Sequence, residues 1–191
     1  MKIMIASDVH GSAYYAAKIK EVFAKEGACL LVLLGDIYNP GPRNPIAAVR
    51  DYAPLKVAEV FNSLKDRLMV IKGNCDSQVD TLISEFHFAE EGQLFVAGRR
   101  ITLTHGHVFN RDELPPACGD ALIYGHVHTG FIERKGGVTI ANPGSVTLPK
   151  EGSAHGYLVL EEDVLTLKDI NDGKIIRQEK IRGREEKDNV Q

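Results

Sequence analysis

Five short stretches of this chain carry side chains able to ligate a metal ion. They are Asp8-Val9-His10, Gly35-Asp36, Gly73-Asn74-Cys75-Asp76, His105-Gly106-His107 and Gly125-His126-Val127-His128. Singly, each has an ordinary explanation. Asp-x-His suits a turn or a helix cap, Gly-Asp is a common turn, and Asn tolerates left-handed backbone. The Gly-His-x-His pair is stronger, because imidazoles two residues apart in extended chain share one side. Together the five would need five independent bland explanations. Asp8, His10, Asp36, Asn74, His105, His126 and His128 offer oxygens and imidazole nitrogens, with no obvious thiolate. Such a set suits Mn²⁺, Fe²⁺, Co²⁺, Ni²⁺ or Zn²⁺ better than a soft metal or Ca²⁺. These ligands are more than one ion needs. Two cations sharing a bridging carboxylate would use them, as in two-metal hydrolases, where ions about 3.5–4 Å apart clamp the attacking and leaving oxygens.

Each stretch follows an apolar run. Lys2–Ser7, Leu30–Leu34, Leu68–Lys72, Ile101–Thr104 and Ala121–Tyr124 read as buried strands, and Leu94–Ala97 as another. If the ligand-bearing strands are neighbours, their ends gather at one sheet edge, where open α/β sheets form ligand sites. Ala13–Glu26 has helical spacing, and Val57, Val60, Phe61 and Leu64 make a helical stripe within Ala53–Lys65. The strand–helix alternation predicts parallel strands with right-handed crossovers. After Phe95 the helical signals fade. Gly98-Arg99-Arg100 predicts a hairpin turn, and Tyr157–Leu160, Val164–Ile170 and Lys174–Ile181 predict antiparallel strands. The expected class is α/β, in one domain over 1–181. The charged tail, Arg182–Gln191, is expected to fray.

With 191 residues, 43% hydrophobic and 26% charged, the chain can bury a core as one ordinary domain. A net charge of −3 argues against a nucleic-acid binder that relies on a basic surface. Cys29, Cys75 and Cys118 form neither a disulfide framework nor a zinc finger. No apolar stretch reaches the ~18 residues needed to span a bilayer. Met1–Asp8 lacks a signal-peptide core. A cytoplasmic location is expected, with no membrane partner. Homo-oligomerisation is compatible with the sequence.

The ordered motifs, with Gly-Asp-Ile-Tyr-Asn-Pro-Gly-Pro-Arg-Asn (35–44), Thr-His-Gly-His (104–107) and Asn-Pro-Gly-Ser (142–145), closely resemble the calcineurin-like metallophosphoesterase superfamily. They are most similar to its small bacterial and archaeal YfcE-type phosphodiesterases. The resemblance runs from Met1 to about Ile181. It implies a four-layer αββα sandwich with two mixed β-sheets and two divalent metal ions per chain, with Mn²⁺ expected. It also implies that Asp8, His10 and His128 bind one metal, that Asn74, His105 and His126 bind the other, and that Asp36 bridges. Many superfamily members carry Gly-Asn-His-Glu where this chain has Gly73-Asn74-Cys75-Asp76, and that histidine is held to protonate the leaving oxygen. A free cysteine, with a pKa near 8.5, is mostly neutral at pH 7. The YfcE-type group shares the cysteine.

The expected chemistry is in-line attack on a phosphate diester by a metal-bridging hydroxide. Asn74 and His107 are the candidate catalytic residues; His107 would touch substrate, aid proton transfer or orient His105. Arg43, Asn44 and Cys75 are the candidate substrate contacts, for a small phosphate ester. His87 and His155 read as structural or surface groups. The alternative is a non-catalytic scaffold of the same fold, in which lost ligands would be expected; all seven are present here. A metallo-β-lactamase signature and a P-loop are both absent.

Overall fold

Two mixed β-sheets pack face to face in the computed structural model of the protein, which describes residues 1–183. In chain order the elements are β1 (Lys2–Ala6), α1 (Ala13–Glu26), β2 (Leu30–Leu33), α2 (Pro54–Asn62), β3 (Leu68–Ile71), β4 (Phe88–Ala89), β5 (Gly92–Val96), β6 (Arg99–Leu103), β7 (Ala121–Ile123), β8 (Gly130–Lys135), β9 (Val138–Pro143), β10 (Gly156–Glu161), β11 (Val164–Asp169) and β12 (Ile175–Lys180). The large sheet has seven strands, ordered β12-β11-β10-β1-β2-β3-β4, and the small one five, ordered β5-β6-β7-β9-β8. From residue 184 on, the tail expected to fray lies outside the described residues.

Strand β1 shows how the sequence forces this layering. Ile3 and Ile5 face the small sheet, while Met4 and Ala6 face the helices. Both faces are buried, so the run is apolar throughout rather than alternating. Strands β1, β2 and β3 are parallel neighbours, as the βαβ pattern predicts. Helix α1 starts at Ser12, whose side chain accepts the Tyr15 N–H, and stops at Gly27 in left-handed conformation (φ 64°). Pro54 opens α2, where its missing N–H costs nothing. Ile19 and Phe23 of α1 join Val57 and Phe61 of α2 in one core. Each such side chain contributes about 1.5–3 kcal/mol when fully buried.

The sequence-based picture changes in the second half. Ile101–Thr104 and Ala121–Tyr124 belong to the small sheet, so the five ligand-bearing strands end on adjacent edges of two sheets, not on one. The expected antiparallel pairs β5–β6 and β10–β11–β12 are present, but β6, β7 and β9 pair in parallel, which the sequence did not indicate. The connection from β6 to β7, through Val108–Gly119, is long enough to cross over. Its Leu114 and Cys118 cover Leu122, Tyr124, Val138 and Ile140. This irregular chain forms the layer outside the small sheet. The β8–β9 hairpin was not foreseen at all. It turns on Gly136 and Gly137, both at positive φ (58° and 81°). The β5–β6 turn is Ala97-Gly98, one residue earlier than expected.

Candidate metal centre

Parallel strands β1, β2 and β3 deliver Asp8, Asp36 and Asn74 to one end of the large sheet, and β6 and β7 deliver His105 and the 126–128 pair beside them. The ends come this close because glycines stand between them. A Cβ on Gly73 would lie 2.1 Å from Asp36 Oδ1, and one on Gly125 would lie 1.9 Å from Ser7 Oγ and 2.8 Å from Asp8 Oδ2. Asp8, His10, Asp36, His126 and His128 all adopt positive φ, between 51° and 68°. Such backbone is uncommon for side-chain-bearing residues and concentrates at functional sites.

Three imidazoles are fixed from behind. His10 Nδ1 lies 2.8 Å from the Asn39 carbonyl, His105 Nδ1 2.6 Å from that of Leu34, and His128 Nδ1 2.7 Å from that of Leu148. A carbonyl only accepts, so each Nδ1 carries the proton and each Nε2 presents a lone pair. Those lone pairs converge on other acceptors. The Nε2 atoms of His10 and His128 lie 3.1 Å apart, and 3.6 and 3.3 Å from Asp8 Oδ1. Asp8 Oδ1 is buried and has no hydrogen-bond partner. On the other side, His105 Nε2 lies 3.0 Å from Asn74 Oδ1 and 3.6 Å from Asp36 Oδ1. The second carboxylate oxygen, Asp36 Oδ2, is 4.0 Å from His10 Nε2. Acceptors facing acceptors at these distances fit a cation between them. Asp8, His10 and His128 form one group able to hold an ion, and Asp8, Asp36 and His105 another.

His126 stands at the margin. Its backbone N–H donates to Asp8 Oδ2 at 3.0 Å, and its ring meets the His105 ring edge-on at 5.1 Å. Burial pulls its pKa down, helped by His105, and burial likewise lowers His10 against the pull of Asp8. Both therefore favour the neutral, ligating form. For Asp8, burial opposes the ionised carboxylate, but the close approach of His128 and the surrounding imidazoles outweigh it. The carboxyl stays well below the usual range.

The small cleft over the cluster is lined by His10, Asp36, Asn74, Cys75, His126 and His128, with Arg43, Asn44 and Lys150 also on its walls. Lys150 carried no sequence signal. Asn44 donates to the Pro40 carbonyl at 2.7 Å, which holds its own loop. The Cys75 thiol lies among the ligating atoms of His10 and Asp36. Burial, then the Asp36 charge, pushes it up to about 12, so it stays a neutral thiol. His107 does not orient His105, whose Nδ1 is taken by Leu34; its ring lies 5.4 Å from that of His105 and 6.3 Å from that of His126. It borders two neighbouring clefts instead. His155 is structural, stacked on Tyr15 at 4.7 Å.

Sequence reasoning assigned no role to two anchors of this site. Asp76 is buried and accepts three backbone N–H groups, from Asp36 and Ile37 at 2.8 Å and Gly73 at 2.7 Å. Burial nevertheless pushes its carboxyl up to about 6. The Asn142–Ser145 segment clamps the other side. Asn142 Nδ2 donates to the Gly125 carbonyl at 2.6 Å, and Ser145 Oγ to that of Asp8 at 2.8 Å.

The calcineurin-like phosphoesterase superfamily domain matches residues 1–164 of the sequence. The chain belongs to the calcineurin-like phosphoesterase superfamily. Among its relatives in that superfamily is "Phosphodiesterase YfcE" of Escherichia coli K12, 43% identical over 180 residues, which span 93% of this chain and 97% of the relative. A solved structure of YfcE, described as a phosphoesterase from E. coli, superposes with a TM-score of 0.90 at 41% identity, covering 95% of this chain and 100% of that one. Vps29 of Entamoeba histolytica, solved in complex with Zn²⁺, shares this superfamily chain's fold at a TM-score of 0.59 and 16% identity, covering 95% and 100%.

Proposed function

We propose that the chain hydrolyses phosphate diesters at a centre of two divalent cations. Asp8, His10 and His128 would hold one, Asn74, His105 and His126 the other, and Asp36 would lie between them. The observation that carries this reading is the set of imidazole lone pairs, fixed from behind by carbonyls, that face the oxygens of Asp8, Asp36 and Asn74, Asp8 Oδ1 among them buried and unpartnered. The high identity to a phosphodiesterase over nearly its whole length supports the diester. When bound, the cations would lower the pKa of coordinated water and neutralise phosphate oxygens. With the ligand set complete, the enzyme is favoured over a scaffold. Three imidazoles fixed in this way suit Mn²⁺ better than Mg²⁺, with Fe²⁺, Co²⁺, Ni²⁺ and Zn²⁺ chemically acceptable.

The chain's own residues divide the remaining work. Arg43 and Lys150, on the cleft wall, would pair with non-bridging phosphate oxygens. Asn44 would add a donor from the same loop. Asn74 would touch both the cation side, through Oδ1, and the Cys75 sulfur, 3.3 Å from its Nδ2. His107, outside the cleft, would meet an ester substituent rather than the phosphorus. The three cysteines are all unpaired and, among the described residues, no helix is long and apolar enough to cross a membrane. Both fit the cytoplasmic location we infer.

With its thiol held neutral and hydrogen-bonded, Cys75 is read as a space-filling neighbour of the centre, neither nucleophile nor proton donor. Cys75→Ala should keep most turnover of an activated aryl diester and leave the dependence of kcat on leaving-group pKa unchanged. General acid help is typically worth about 10²–10⁴-fold and matters most for poor leaving groups. A dependence that steepens sharply in Cys75→Ala would make Cys75 the proton donor. The function itself is tested by assaying the metal-loaded protein on bis(4-nitrophenyl) phosphate against 4-nitrophenyl phosphate; preference for the monoester would reject a diesterase.

A further inference from the structure

Two clefts of unlike chemistry border the candidate metal ligands, and His107 lines both. The first, about 380 Å³, shares His126 with the cleft over the cluster. Its floor is the Tyr124–Phe131 pair, edge to face at 6.0 Å, and its walls include Arg111, Thr129 and Glu151. Arg111 is held there, 3.6 Å from Glu133 and over the Phe131 ring at 5.8 Å. Glu151 is exposed, and its Oε2 has Thr129 Oγ1 at 3.5 Å, a long contact that leaves acceptor capacity. The second cleft, about 320 Å³, shares His105 with the cluster. It is lined by Thr104, Val108 and Phe109, with Glu90 and Glu91 at its rim. Val108 is 55% exposed, an apolar side chain left open to solvent beside the centre. Lys72 pairs with Glu90 at 3.3 Å, leaving Glu91 to repel anions at this rim.

The two ester substituents of a phosphodiester diverge from phosphorus, so a diester over the cluster sends one group towards each cleft. We propose that the substrate is a mixed diester, with a hydroxylated alcohol in the Glu151 cleft and an apolar alcohol in the Val108 cleft. The proposal rests on the diesterase reading above and deepens it. Hydroxyl groups would donate to Glu151 and lay their carbon skeleton on Phe131, which Tyr124, itself buried, supports from behind. The apolar group would cover Val108 and Phe109, which an exposed Val108 favours. In the first cleft Glu151 and Asp112 outnumber Arg111, which Glu133 already engages, and in the second Glu91 adds its charge; both clefts disfavour a second phosphate. A cyclic diester, its two ester oxygens tied to one ring, cannot fill both.

The test uses the Mn²⁺-loaded protein with glyceryl, ethyl and bis-aryl esters of 4-nitrophenyl phosphate. The glyceryl diester should show a KM about tenfold below that of the ethyl diester, the scale of one hydrogen bond to a charged group. Glu151→Gln should erase most of that difference while changing the KM of the bis-aryl ester less than about twofold. Val108→Asp should raise the KM of all three, since each places an aryl group in its cleft. Calorimetry with the glyceryl and ethyl monoesters of phenylphosphonate, which carry no hydrolysable aryl ester, should show the glyceryl ester binding more tightly. Equal KM for glyceryl and ethyl diesters, or equal effects of Glu151→Gln on glyceryl and bis-aryl esters, would overturn the two-cleft assignment. So would turnover of a cyclic diester exceeding that of the glyceryl ester. Absence of turnover on every diester would instead reject the diesterase reading on which it stands.

Discussion

Asp36→Asn should abolish turnover while leaving the metal-free fold intact. Its two carboxylate oxygens face opposite ligand groups, Oδ1 towards His105 and Oδ2 towards His10. An amide keeps the size, and its Oδ1 still accepts the Cys75 N–H, now at 2.8 Å. What it removes is one negative charge between the two cation positions. The expected loss is about 10³-fold or more in kcat, the upper range for deleting one preorganised electrostatic group. The metal-free variant should melt within a few degrees of wild type, because a buried like-charge neighbour of Asp8 and Asp76 has gone. Added Mn²⁺ should then raise its Tm much less than it raises that of wild type, since stabilisation by a ligand follows its affinity. Melting curves with and without metal, beside kcat, check both halves. A variant that binds and turns over normally would remove Asp36 from the centre.

Asp76→Ala should be the most destabilising single change near the site. The carboxylate satisfies three buried backbone N–H groups in the segments that carry Asp36 and Asn74. Each N–H left without a partner costs about 1–3 kcal/mol, so a loss of roughly 3–5 kcal/mol is expected where water enters to satisfy part of the set. Asp36 sits in left-handed backbone (φ 54°), and without the Asp76 anchor that strained conformation has less to hold it. Activity should fall with stability, and metal affinity about 10–100-fold, as for other groups that orient ligands. Asp76→Asn, which keeps one acceptor oxygen, should lie between. Denaturant unfolding gives the stability and metal titration the affinity; an Ala variant as stable as wild type would show that solvent replaces the carboxylate freely.

The residues that converge at the candidate centre were legible because chemistry and backbone geometry coincide in the chain order. An apolar run, a glycine and a ligating side chain recur, and the glycines are needed where Gly73 meets Asp36 and Gly125 meets Ser7. Local spacing also read α1 to the residue and the three parallel strands β1, β2 and β3. It did not read which sheet β6 and β7 join, because both sheets bury aliphatic strands and periodicity is the same in each. It missed β8 and β9, although Gly136-Gly137 is a hairpin turn signal, because the flanking Glu133–Lys135 and Asn142–Pro143 look polar or strand-breaking. Asp76, Asn142 and Ser145 were legible only as parts of motifs. Their partners are backbone groups up to 137 residues away, and no local pattern encodes that. Lys150 reaches the cleft through a loop whose path is set by contacts such as its own N–H with the His128 carbonyl at 3.0 Å.

The central claim, a two-cation phosphodiesterase, is tested most directly by elemental analysis of the chain alongside turnover of bis(4-nitrophenyl) phosphate, as chelator-stripped protein is reloaded with Mn²⁺. The account predicts negligible turnover in the stripped protein and activity that rises with loading until two ions are bound per chain. Full activity at one tightly bound ion per chain, or undiminished turnover after complete stripping, would contradict it.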